Sequence, residues 1–130
     1  MKSLYLLTIA LAAPLHALAE SCPLTLPQDA LTVRAPPGWR GYSPSLMRLT
    51  GFGMMGGEPQ SMTYLVPAAS KKGATTWHFA RGEEKWLYCT YDDSASIQIS
   101  KRLPDAATVC TLTKKESKRG GITEMLADCQ

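Results

Sequence analysis

Four cysteines in a 130-residue chain, all of them beyond residue 20, constrain the fold more than any other feature. A chain this short builds a small core, and paired cysteines are a common way to hold such a domain together in an oxidising compartment. No two of the four are closer than 19 positions, and no Cys-x-x-Cys occurs. That spacing disfavours a zinc or redox site, where close pairs are the rule. Two structural disulfides are therefore expected.

The N-terminus agrees with an oxidising destination. Met1, Lys2 and Ser3 form a short positive segment and residues 4–13 an apolar run; Ala17-Leu18-Ala19 supplies the small residues before a cut at Glu20. Residues 1–19 read as a signal peptide cleaved after Ala19, and residues 20–130 as a single mature domain, exported most naturally to a periplasm. The apolar run is too short to span a bilayer, and no second one follows, so no membrane span is expected. Glu20 just before Ser21-Cys22 disfavours a lipoprotein. The basic residues come in pairs, Lys71-Lys72, Lys101-Arg102, Lys114-Lys115 and Lys118-Arg119, on a chain of net charge +3. Such pairs read first as solvated turns and secondly as contacts for an anionic partner. The modest charge argues against nucleic acid.

Along the chain the pattern has period two, with no long helix. Pro23, Pro27, Pro36 and Pro37 limit residues 22–40 to short extended pieces, and Pro36-Pro37-Gly38-Trp39 reads as a turn presenting a tryptophan. Residues 46–52 suggest a strand running into a glycine–methionine loop or bulge at 51–57, residues 62–66 a further strand, and residues 68–73 a polar loop. Residues 75–80, 85–91, 95–103 and 108–115 are β-rich and joined by short loops, which predicts successive hairpins. Residues 122–129 suit a strand or a short helix, and the strand is preferred. The expected fold is all-β: a small antiparallel meander, sandwich or barrel-like domain tied by two disulfides.

Register arguments bear on the pairing. A hairpin centred between Arg119 and Gly120 places Cys110 opposite Cys129, leaving Cys22 for Cys89. With successive hairpins around residues 93–94 and 105–106, Cys89 and Cys110 lie two strands apart and out of step, too far for a disulfide. Cys22–Cys89 with Cys110–Cys129 is the preferred set.

No motif announces catalysis. His78 is the one histidine beyond the leader; it alternates with Trp77 and Phe79, and no nucleophile elbow accompanies it. Glu83-Glu84 and Asp92-Asp93 are neighbours in turns rather than facing carboxylates. No phosphate loop or nucleotide fingerprint occurs, and no catalytic residue, metal or cofactor is assigned. Met54, Met55 and Met62 raise a copper(I) reading, since thioethers are soft ligands, but methionines beside glycines more simply supply adaptable apolar contacts. Among the tryptophans, Trp77 and Trp86 are expected in the core and Trp39 at the surface.

The set Cys22-Pro23, Pro37-Gly38-Trp39, Trp77-x-Phe79, Trp86-x-x-Cys89-x-Tyr91 and Cys110 resembles a family of small exported proteobacterial proteins. The resemblance implies export and a non-enzymatic role, and brings no active site. A looser likeness to periplasmic lysozyme inhibitors stops at architecture, since a basic domain is poorly matched to a cationic enzyme. The function expected is a non-enzymatic binding or inhibitory protein acting on an envelope enzyme or toxin through Trp39, Met54, Met55, Lys71 and Lys72. The alternative is a carbohydrate- or peptidoglycan-binding module built on aromatic platforms.

Overall fold

A computed structural model of the chain describes residues 18–43 and 45–130. The strands are β1 (Leu18–Glu20), β2 (Thr25–Leu26), β3 (Met47–Gly56), β4 (Ala69–Lys71), β5 (Ala74–His78), β6 (Lys85–Tyr91), β7 (Ile97–Arg102), β8 (Val109–Glu116) and β9 (Ile122–Cys129). They form two antiparallel sheets, a five-stranded one in the order β1-β9-β8-β5-β4 and a four-stranded one in the order β2-β3-β6-β7. Apart from two single 3-10 turns, Gln28–Ala30 and Pro59–Ser61, no helix occurs among the described residues, and none is long and apolar enough to cross a membrane.

Alternation explains why the sheets face each other. On β6, Lys85, Leu87, Cys89 and Tyr91 are buried while Trp86, Tyr88 and Thr90 are half-buried, so every second residue points inward. Leu112 and Cys110 on β8, Met125, Ala127 and Cys129 on β9, and Trp77 on β5 fill the core from the other sheet, joined by Met47, Leu49 and Met54 of β3. The ends are closed by Leu103, Ala107 and Phe79, all buried in or beside the turns between sheets. One edge is bridged by an ion pair at 2.7 Å between Glu20 of β1 and Lys101 of β7.

Both disulfides of the preferred set are present, Cys22–Cys89 and Cys110–Cys129. Cys110 and Cys129 sit directly opposite in the β8–β9 register, as the hairpin centred near residue 120 requires. One premise behind excluding Cys89–Cys110 does not hold. β7 and β8 are not a hairpin; the segment between them crosses from one sheet to the other, with Pro104 unable to donate to a continuing ladder. The architecture is thus a two-layer sandwich with hairpins β4–β5, β6–β7 and β8–β9, not a single meander.

Three further local expectations are corrected. Of the loop or bulge expected at the glycine–methionine stretch 51–57, the loop is not formed: β3 runs through to Gly56, and its register shifts, as at a bulge, between Leu49 and Gly51. Its glycines serve close approach rather than mobility. A Cβ on Gly53 would lie 2.6 Å from the Tyr88 hydroxyl, so the tyrosine of the neighbouring strand lies over bare backbone. Residues 62–66 contribute one isolated bridge, Met55 to Tyr64, because Met62 takes a left-handed conformation (φ 51°) that interrupts extended chain. Residues 69–71, expected in a polar loop, are β4, paired with β5.

The signal-peptide reading falls mostly on residues 1–17, outside the described residues. The cut after Ala19 lies within β1, whose residues pair with Ala127, Asp128 and Cys129.

Candidate functional site

The connection between β2 and β3 holds the most exposed aromatic residues. Pro36, Pro37, Gly38 and Trp39 make a turn closed by the Trp39 amide donating to the Pro36 carbonyl at 3.0 Å. Gly38 has φ 88°, as the third position of a type II turn requires, with proline favoured just before it. The turn anticipated from these four residues is therefore formed. It holds Trp39 outward at 77% exposure, and Tyr42 beyond it is equally exposed.

Val33 lies against Gly41, so closely that a Cβ there would fall 2.5 Å from Val33 Cγ1. The two arms of the loop thus pack on each other, and Leu31 packs against the core. Arg34, Arg40 and Arg48 are exposed, and no acidic residue occurs from 30 to 57. The result is a positively charged aromatic projection. Tryptophan, tyrosine and arginine are the residue types that dominate binding energy at protein interfaces.

The other anticipated contact residues separate into two groups. Lys71 and Lys72 are exposed at the β4–β5 turn. A cavity of about 320 Å³ beside Lys71 is lined also by Thr50, Phe52, Lys114 and Ile122, which places that turn over the half of β3 nearest the Trp39 loop. Met54 and Met55, by contrast, are wholly buried, so neither has surface to offer a partner. Met54 faces the core, and Met55 lies under the outer face of the four-stranded sheet, where Gln98 Nε2 approaches its sulfur at 3.3 Å. Met62 is exposed at 68%, so the three methionines do not converge.

Trp77 is core, with its indole N–H donating to the Leu65 carbonyl at 3.0 Å. Trp86, expected in the core, lies half-buried on the outer face instead. The inward phase of β6 is set by Cys89, which must reach Cys22, and Trp86 is out of phase with it. Its indole N–H donates to Glu84 Oε1 at 2.8 Å. Beside it Tyr64 packs edge-on against Tyr88, ring centres 5.1 Å apart, and donates its hydroxyl to Gln98 Oε1 at 2.8 Å. Burial, and secondarily the nearby Tyr64, pushes the Tyr88 phenol above its ordinary value. Residues 58–60 border this face, forming with it an open cavity of about 530 Å³ lined by Glu58, Pro59, Gln60, Trp86, Gln98 and Ser100.

Sequence reasoning missed this second site. Its signal was the alternation of Trp86 with Cys89, which already put the tryptophan on the face opposite the disulfide.

His78 is exposed on β5 opposite Val109. Among the described residues no three of His, Cys, Asp and Glu are placed to hold a metal. Comparison with curated proteins and with solved structures gave no match. A family model described as Type VI secretion system Tli immunity protein matches residues 43–130, from the approach to β3 to the end of β9.

Proposed function

We propose that this chain, which belongs to the Type VI secretion system Tli immunity protein family, neutralises a toxin of that secretion system by binding it, without catalysing a reaction of its own. We place this action in the periplasm, after removal of residues 1–19. Family membership is the observation that carries the reading. The disulfides and the leader-like N-terminus support the compartment.

Contact with the toxin is assigned to the Trp39 loop, with Lys71 and Lys72 as flanking cations. A tryptophan fixed on a type II turn loses little conformational freedom on binding, so more of its contact energy is realised as affinity. Arg34, Arg40 and Arg48, which make no ion pair among the described residues, fit an acidic surface on the toxin and speed encounter with it.

The test is a binding titration between the purified mature protein and the toxin of the same secretion system, alongside growth protection when both are expressed. A 1:1 complex and rescued growth are expected. Trp39→Ala should weaken binding by about 2 kcal/mol, near thirtyfold. Gly41→Ala retains the Trp39 side chain but drives a methyl group into Val33, so it should weaken binding by displacing the tip. Absence of any complex with the toxin refutes the function, whereas a complex indifferent to both variants refutes only the assignment of the loop.

A further inference from the structure

The cavity on the outer face of the four-stranded sheet has a chemistry distinct from that of the Trp39 loop. Its floor is rigid. Gln98 accepts from Tyr64, donates to Ser100 Oγ at 3.1 Å and approaches the Met55 sulfur, while Tyr64 and Tyr88 hold each other edge to face. One wall is Trp86, whose N–H is already taken by the Glu84 carboxylate. The indole therefore offers its ring rather than its hydrogen-bond donor, and an anionic acceptor on the N–H makes that ring more attractive to positive charge.

The border supplies the Glu58 carboxylate, which has no ion pair among the described residues. No lysine or arginine lines the cavity. Arg102, opposite Trp86 in register, pairs with Asp105 at 3.1 Å and does not line the cavity. Pocket acceptors with no resident cation, set beside an aromatic face, match a cation on an apolar stem. They do not match an anion.

The geometry points to this cavity as a receptor for a guanidinium or ammonium side chain, its stem lying on Trp86 and its charge meeting Glu58. That the side chain belongs to a protein partner rests on the toxin-binding reading; the chemistry of the pocket does not. The domain thereby carries two surfaces of opposite sign, a cationic aromatic loop and an anionic aromatic pocket. Its partner is expected to present an acidic patch and an arginine or lysine in matching positions.

The experiment is a titration of the mature protein with L-arginine methyl ester, followed by the indole N–H resonances in two-dimensional NMR, with chitotriose as the neutral probe. A saturable shift of the Trp86 resonance at millimolar ester is expected, weakened about fivefold by Glu58→Gln and reduced by added salt. Thermal melting of Glu58→Gln, an exposed border position, controls for folding. The proposal is overturned if the Trp86 shift does not saturate, if Glu58→Gln leaves it unchanged, or if chitotriose binds more tightly than the ester. Because the probe is a small molecule, this result stands or falls separately from toxin binding.

Discussion

Lys85 is the most demanding residue in the fold. It is completely buried, yet it ends in a charge. Its ammonium donates to the carbonyls of Glu83 at 2.6 Å, Asp105 at 3.2 Å and Pro104 at 3.3 Å, and stands 5.2 Å from the centre of the Phe79 ring. Burial lowers its pKa, while the carboxylates of Asp105 and Glu83 work the other way.

Replacing a buried ion by an apolar residue is often harmless where its partners are replaced too. Here the partners are backbone carbonyls of the two segments that cross between sheets, and no substitution removes them. Lys85→Met keeps most of the stem but strands the Glu83 carbonyl, while the Asp105 and Pro104 carbonyls lose one donor each and keep the Gly82 and Ala107 amides. At about 1–2 kcal/mol for the unsatisfied acceptor and about 0.5 kcal/mol for each of the other two bonds, the loss is about 2–3 kcal/mol. Lys85→Ala adds a cavity and should cost about 4–5 kcal/mol.

With a urea slope of about 1.2 kcal/mol/M for a domain this small, the midpoints should fall by about 2 M for Met and more for Ala. Tryptophan fluorescence with the disulfides intact reads both. A Lys85→Met protein whose midpoint lies within about 0.5 M of the parent would falsify the reasoning, since the three hydrogen bonds would then contribute nothing net.

Two further outcomes follow from the structure. Serine at both Cys110 and Cys129 should cost about 3 kcal/mol, and at both Cys22 and Cys89 about 4 kcal/mol, because the loops closed span 19 and 67 residues; urea unfolding that ranked the two pairs in the reverse order would contradict the loop-closure account. On the acid side, Asp92 accepts from the Ser96 hydroxyl at 2.6 Å, from the Ser96 amide and from Ser94. The Ser96 side-chain bond leads in holding its carboxyl below the ordinary 3.8. Its contribution is thus present above that value and lost as pH falls through the lowered one, so the stability gap between the parent and Asp92→Asn should be constant near neutrality and close below pH 3.8.

Much of the fold was legible because a disulfide-tied β domain writes its register into the sequence. Residues 85–91 and 122–129 match β6 and β9 at both ends, since each is bounded by polar turns. Cys110 and Cys129 announced their own hairpin. What the sequence concealed was which strands are neighbours. β5 pairs with β8 and β3 with β6, and nothing in local periodicity distinguishes a turn that closes a hairpin from one that crosses to the facing sheet. Stretch 51–57 misleads for a related reason: glycine signals freedom when read alone, but here it makes room for Tyr88 from a strand 35 positions away. Trp39 was readable because a Pro-Pro-Gly turn is a local device. The Trp86 cavity was not, because its border comes from residues 58–60, whose place beside β6 and β7 depends on the whole sandwich.

The two disulfides join the first cysteine to the second and the third to the fourth, so their rings lie one after the other along the chain and neither encloses the other. Of the three pairings that four cysteines allow, this one is reached when thiols are oxidised in the order in which they appear. A chain threaded through a membrane from its N-terminus presents Cys22 and Cys89 before Cys110 and Cys129, and a simple oxidant acting on it makes the native bonds first. Such a protein matures without a reshuffling step and without waiting on an isomerase. For the toxin-binding role proposed above, the speed of becoming competent matters as much as affinity.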